Sequence, residues 1–201
     1  MSFIDAQPIE SLANASQDTR DEAMAALIEL VSRELFEFGV MQTDPNFANY
    51  RWQAAQKRLV LFDFGATRAV PSDTAASYHA LIEAGLARDR DRIRDIAVTA
   101  GFLGADAAAA HGAAVDRIIV AIDEAMNRPG PFDFGDRAFV PVVREEAQAF
   151  IADRATWHVP DVETLFVQRK VSGTALLAAR LKARVDVRRM AADAIARHPR
   201  A

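Results

Sequence analysis

A mainly α domain with one small β-hairpin near its N-terminal end is predicted by three observations. Alanine-rich stretches with apolar residues at helical spacing fill most of the 201 residues. The β signal is confined to two short aromatic or apolar runs, Tyr50-Arg51-Trp52 and Arg58 to Phe62, joined by a polar linker. No internal repeat or low-complexity linker interrupts the chain, so residues 1–201 are expected to form a single domain.

The elements follow in order. Thr19 to Phe38 puts Met24, Leu27, Ile28, Val31, Leu35 and Phe38 on one helical face. Thr19 with Glu22 matches a capping box at its start, Ser16 is the competing cap, and Gly39 is a stop. The hairpin comes next. Pro71-Ser72-Asp73 then starts a helix running to about Ala87, and Asp89 to Thr99 forms another. Further helices are expected at Asp106–Met126, Phe139–Ala155, Asp161–Arg184 and Val187–Arg197.

Composition narrows the function classes. A hydrophobic content of 51% with 26% charged residues reads as a soluble globular chain able to bury a core. No apolar run is long enough to span a bilayer, and no signal peptide is recognisable. Zero cysteines exclude disulfides and thiolate metal sites and fit a reducing compartment. A cytoplasmic location is therefore expected.

Charge is uneven along the chain. From Gln168 to Ala201 nine Lys/Arg face only Asp186 and Asp193, giving that tail +7 within a chain of net −4. Such a basic helical tail suits peripheral contact with an anionic membrane or an acidic partner. The bland reading is a solvated helix face neutralised by the acidic body. Nucleic acid is not expected, because no aromatics interleave the basic residues for base stacking.

Three polar residues carry the chemical signal. Asp44 and Asn49 lie in the loop Met41-Gln42-Thr43-Asp44-Pro45-Asn46-Phe47-Ala48-Asn49. Asp63 opens Asp63-Phe64-Gly65 after the apolar run Leu59-Val60-Leu61-Phe62. A protein-kinase active site spaces its catalytic Asp, its metal-binding Asn and its Asp-Phe-Gly Asp in much this way. Phosphoryl transfer needs one carboxylate to orient the attacking group and hard oxygen ligands to hold Mg2+. Asp44 is the candidate for the first role, Asn49 and Asp63 for the second. Asp-Phe-Gly alone is weak evidence, since Phe132-Asp133-Phe134-Gly135 holds a second copy, which reads as a turn between helices. Turn chemistry is the bland account of Asp44 and Asn49. The strand, the upstream pair and the hairpin together favour a site.

The longer strings name a family. Glu34-Leu35-Phe36-Glu37-Phe38, Met41-Gln42-Thr43-Asp44-Pro45-Asn46, Asn49-Tyr50 and Leu61-Phe62-Asp63-Phe64-Gly65-Ala66-Thr67-Arg68 closely resemble the UbiB/ADCK (aarF domain-containing) atypical kinases. Arg88-Asp89-Arg90-Asp91, Phe102-Leu103, Pro131 to Gly135, Arg169-Lys170 and Leu181-Lys182-Ala183-Arg184 resemble that family's helical C-terminal lobe. The resemblance implies a protein-kinase-like C-lobe, with the hairpin carrying the Asp-Phe-Gly motif. It also implies Mg2+ and ATP as cofactors and a link to ubiquinone biosynthesis. Asp44 corresponds to the catalytic-loop Asp, and Asn49 and Asp63 to the metal ligands. Gln42-Thr43 stands where other kinases have His-Arg.

The N-lobe half of such a site is missing from the sequence. No lysine precedes Asp44, the three lysines being Lys57, Lys170 and Lys182, and the only glycine before it is Gly39. Residues 1–10 resemble the hinge, 41–68 the catalytic loop, hairpin and Asp-Phe-Gly segment, and 72–201 the helical region. An excised piece, half of a split kinase, and a stand-alone lobe that lost catalysis all fit. So does a non-catalytic helical interaction module derived from such a lobe. Phe3, Ile4, Val40, Phe47 and Trp52 are expected on a hinge-side face that takes an N-lobe partner or self-associates.

Elsewhere the residues read as structural. His79, His111, His158 and His198 are expected as surface or helix-end residues. Trp157 is expected to anchor between helices, and Tyr78 and Phe102 to be core.

Overall fold

A computed structural model of the chain describes residues 4–44 and 46–199, and in residues 149–151 the backbone alone. Phe3, at the hinge-like start, and Pro45, in the loop of Asp44, lie outside the described residues, as does Arg200 of the basic tail. The chain is mostly helical and divides into two compact units.

The first unit comprises residues 1–70, 133–136 and 166–186. A 3-10 turn, Ile9–Asn14, buries Ile9 and Leu12 completely. Helix α1 (Gln17–Arg33) follows. Of its two candidate caps the fold uses Ser16, whose Oγ accepts from Thr19 N at 3.3 Å. Ala23, Met24, Leu27 and Val31 form its buried face. Burying side chains the size of Leu or Met contributes about 1.5–3 kcal/mol each. The helix widens into a π turn over Glu34–Phe38 and stops at Gly39, whose φ of 62° is left-handed.

Strands β1 (Gln7–Pro8), β3 (Tyr50–Gln53) and β4 (Arg58–Leu61) form a three-stranded sheet in the order β1-β3-β4. Strands β2 (Val40–Gln42) and β5 (Thr67–Ala69) pair separately and antiparallel. In β3 the buried Tyr50 and Trp52 alternate with half-buried Arg51 and Gln53. Trp52 is only 2% exposed, which corrects its expected place on an open face. A strand of period two presents its aromatic residues to one side, and here that side is the core. Ile4 and Val40 are exposed and Phe47 half-buried.

Helix α7 spans Val162–Leu181 and belongs to the first unit from Phe166 onward. It ends three residues earlier than its periodicity suggests. Lys182 takes a left-handed φ of 50°, and Arg184–Val185 is a short strand. The freed carbonyls at that end are capped from α1: Arg20 Nη1 donates to Leu181 O and Gln17 Nε2 to Lys182 O, both at 3.0 Å.

The second unit comprises residues 71–132, 137–165 and 187–201. It holds α2 (Ser72–Ala87), α3 (Arg90–Thr99), α4 (Ala105–Ala110), α5 (Gly112–Met126), α6 (Val140–Ala152) and α8 (Val187–Arg197). The expected helix Asp106–Met126 is broken at His111-Gly112, where His111 has ψ of 27° and its φ leaves the helical range. The helix expected over Phe139–Ala155 stops at Ala152, because Asp153 turns extended and caps a 3-10 turn through Ala155 N.

Asp123 is the buried polar centre of this unit. Its carboxylate accepts from Arg88 and Arg90 at 2.6–3.1 Å and from Asn127 Nδ2 at 2.7 Å. The Arg88 hydrogen bond, helped by Arg90, holds its carboxyl below the usual carboxylate range. Tyr78 and Phe102 pack as a tilted pair with ring centroids 4.9 Å apart. His79 is buried, not superficial, and its Nε2 lies 2.9 Å from His198 O. Trp157 is 65% exposed and therefore does not anchor helices as expected.

Candidate functional site

The site is built by two loops of the first unit, each clamped at both ends. At one end β2 pairs with β5, setting Gln42 opposite Thr67. Thr43 then donates twice to Ala66 O, from its amide at 3.0 Å and from Oγ1 at 2.7 Å. At the other end the β3–β4 pairing sets Tyr50 opposite Leu61, and Phe62 N donates to Asn49 O at 3.0 Å. Thr43 is therefore fixed to Ala66 and Asn49 to Phe62 at two junctions, one at each end of the two segments. Asp44 and Asn49 stand on the first loop, and Asp63 stands on the second, one residue past the Asn49–Phe62 bond.

Side-chain bonds orient the three groups. Asn49 Nδ2 donates to Asp44 Oδ2 at 3.0 Å, while Asp44 Oδ1 accepts from Asn46 N at 3.2 Å. Asn46 Oδ1 in turn caps the 3-10 turn Phe47–Asn49 through Ala48 N. The amide orientation leaves Asn49 Oδ1 as an unused acceptor among the described residues. Asp63 is exposed, and its Oδ1 accepts from Gly65 N at 2.7 Å. Its Oδ2 has no hydrogen-bond partner among the described residues. A Cβ on Gly65 would stand 3.1 Å from Asp63 Oδ1, so glycine lets this turn close without displacing the carboxylate. Free carboxylate and amide oxygens are the donor types that Mg2+ takes. No group of three His, Cys, Asp or Glu with metal-binding geometry occurs among the described residues.

The first loop rests on a buried polar cluster that sequence reasoning missed. Lys170 on α7 is 2% exposed and Glu34, opening the π turn, is 5% exposed. Lys170 Nζ donates to Gln42 O at 2.9 Å and to Tyr50 Oη at 2.8 Å, and stands 3.1 Å from Glu34 Oε2. Tyr50 Oη donates to Gln42 Oε1 at 2.9 Å, and Gln42 N donates to Glu34 Oε1 at 3.2 Å. Burial pulls the Lys170 ammonium below the usual lysine range, against the attraction of Glu34. It pushes the Glu34 carboxyl up, against Lys170, and the Tyr50 hydroxyl up as well. Counting Lys170 with a solvated basic tail is thus corrected. A signal was available: Lys170 interrupts the buried helical stripe of Val167, Thr174, Leu177 and Leu181.

Among the described residues no helix is long and apolar enough to cross a membrane. Several tail cations are paired: Arg180 with Glu10 at 2.5 Å and Arg184 with Asp133 at 3.1 Å.

Comparison with known proteins places the chain. Residues 1–97 match the ABC1 atypical kinase-like domain. The chain is 33% identical over 192 residues to the mitochondrial atypical kinase COQ8B of Rattus norvegicus, covering 95% of this chain and 36% of that protein. It is 30% identical over 197 residues to COQ8B of Danio rerio, covering 96% of this chain and 31% of that one. Mitochondrial COQ8 of Saccharomyces cerevisiae is 30% identical over 187 residues, 92% of this chain and 37% of the yeast protein. The chain thus spans about a third of the length of these curated relatives. The fold is shared with Rv3197 of Mycobacterium tuberculosis, solved in complex with erythromycin, at a TM-score of 0.71 and 17% identity, over 96% of this chain and 48% of that one.

Proposed function

Because the chain belongs to the UbiB/ADCK family of atypical kinases, we propose that it is the C-terminal lobe of an ATP- and Mg2+-dependent kinase or ATPase serving ubiquinone biosynthesis. The observation that carries this reading is the pair of clamped loops, with Thr43 bonded to Ala66 and Phe62 to Asn49. They bring a carboxylate, an amide and a second carboxylate to facing segments.

In this reading Asp44 accepts the proton of the attacking hydroxyl or orients the attacking water. Asn49 steadies Asp44 through its 3.0 Å bond and offers its amide oxygen to the cation. Asp63, with one oxygen held by Gly65 N, offers the other. When bound, Mg2+ neutralises charge on the nucleotide phosphates. The groups that grip phosphate from the opposite side, a strand lysine above all, belong to an N-lobe. The chain alone is therefore proposed to bind nucleotide weakly and to turn it over little.

Isothermal calorimetry with Mg2+ and ATP tests the reading. Binding heat that requires Mg2+ and vanishes in Asp63→Ala is the expected outcome. Absence of heat at millimolar nucleotide would overturn it and leave a helical interaction module derived from such a lobe.

A further inference from the structure

Lys170 reaches both ends of the loop that carries Asp44 and Asn49. Gln42 lies two residues before Asp44, and its backbone carbonyl accepts from Nζ at 2.9 Å. Tyr50 directly follows Asn49, and its hydroxyl accepts from the same ammonium at 2.8 Å. One cation thus fixes the spacing between the two ends of a seven-residue segment. The tie spans 128 residues of sequence to Gln42 and 120 to Tyr50. Glu34 completes it, holding Gln42 N with one oxygen and pairing with Lys170 through the other.

We propose that Lys170 is a positioning residue: a buried cross-brace from α7 that holds Gln42 and Tyr50, the residues flanking the loop, at the spacing in which Asp44 and Asn49 act together. The proposal rests on reading that loop as the catalytic and metal-binding loop. Stability alone would be an uneconomical reason for the cluster. A buried ion pair loses most of its attraction to desolvation, and an apolar replacement is often as stable. Gln42 Nε2 is moreover buried without a hydrogen-bond partner among the described residues. A device that fixes geometry tolerates such costs, because directional bonds to one carbonyl and one hydroxyl have few alternative arrangements.

The test separates charge burial from loop geometry. Lys170→Met strands the Glu34 carboxylate, so this single variant is expected to be strongly destabilised. The double variant Glu34→Gln with Lys170→Met removes both charges and is expected to melt near the unaltered chain. Hydrogen exchange measured by mass spectrometry then reads the loop. Amides of Thr43, Asp44 and residues 46–49 should exchange about tenfold faster or more in the double variant, the factor expected when a hydrogen bond from a charged donor is lost. Amides of α1 should keep their rates. Tyr50→Phe, a milder change, should accelerate exchange near Asn49 more than near Thr43. Unaltered loop exchange in the double variant, or in Tyr50→Phe if the double variant does not fold, overturns the brace.

Calorimetry on the same proteins keeps the two readings apart. Mg2+-ATP affinity falling about tenfold while the melting temperature is retained supports the brace at a working site. If the unaltered chain binds no nucleotide while the loop still loosens, the brace stands and the nucleotide reading fails.

Discussion

The chain contains Asp-Phe-Gly twice, and the two copies fold alike yet end differently. Asp63 Oδ1 accepts from Gly65 N at 2.7 Å, and Asp133 Oδ1 accepts from Gly135 N at 2.8 Å. In both, a Cβ on the glycine would crowd the aspartate, at 3.1 Å and 3.0 Å. The tripeptide therefore encodes a turn, and the turn is all it encodes. What separates the copies is the second carboxylate oxygen. Asp133 Oδ2 accepts from Arg184 Nε at 3.1 Å, so its charge is answered within the fold. Asp63 has no ion pair among the described residues, and it directly follows Phe62, whose amide donates to Asn49 O. A motif becomes a candidate site when the surrounding chain leaves its chemistry unspent.

The sharpest way to break this comparison is to remove each aspartate in turn. Asp63→Ala is expected to abolish Mg2+-dependent ATP binding in calorimetry, while Asp133→Ala leaves it unchanged. Equal loss in both would show that the turns, not the free oxygen, matter.

Asp123 extends the comparison to a carboxylate that is fully answered. Asp123→Ala removes the partner of Arg88 and Arg90, which are 50% and 40% exposed and can rehydrate. The loss of stability in urea denaturation is expected to be about 2 kcal/mol, below the range for fully buried pairs. The sign of its pH dependence follows from the lowered carboxyl. Its contribution is complete above the unfolded value of about 3.9 and is lost as pH falls through the lower folded value. Asp123→Asn should therefore flatten the acid limb of the stability curve.

The glycines give a smaller, crossed effect. Gly135→Ala would press on Asp133 and also on Lys182 Cβ at 3.2 Å, and should cost about 1–2 kcal/mol in thermal unfolding. Gly65→Ala meets only Asp63 Oδ1, so it should weaken ATP binding with little change in melting temperature. Arg184→Ala should be smallest. Its pair with Asp133 is exposed, and its loss is expected to cost under about 1 kcal/mol.

The parts of this molecule that were legible in its sequence are those governed by neighbours in the chain. The π turn's stop at Gly39, the bounds of α8 and the strings around Asp44, Asn49 and Asp63 all depend on local pattern. Ser16 against Thr19 as the cap was a choice between residues one turn apart, and the bond from Thr19 N to Ser16 Oγ made it. What escaped depended on distant partners. His79 reads as a helix-surface residue until His198 O meets it across 119 residues. Lys170 reads as part of a basic tail until α7 turns it inward. The hairpin that sets Asn49 beside Phe62 was read from its two short runs, whereas the Thr43–Ala66 junction was out of reach, because it needs the β2–β5 pairing, which composition does not specify. The division into two units was invisible for the same reason, since the first unit recruits 166–186 from far downstream.

That last recruitment has a consequence for how the protein is born. The segment matching the ABC1 domain ends at residue 97, yet the first unit is not closed until residues 166–186 join it. On a ribosome adding about 5–20 residues per second, the 128 residues between Gln42 and Lys170 take roughly 6 to 25 seconds to make. Throughout that interval the loop of Asp44 exists without the ammonium that ties its ends, and Leu27 and Met24 of α1 lack the helix that closes their unit. Transiently exposed apolar surface of this kind favours aggregation of an unfinished chain. Arrest of translation between residues 97 and 166 should leave it protease-sensitive across its whole N-terminal half.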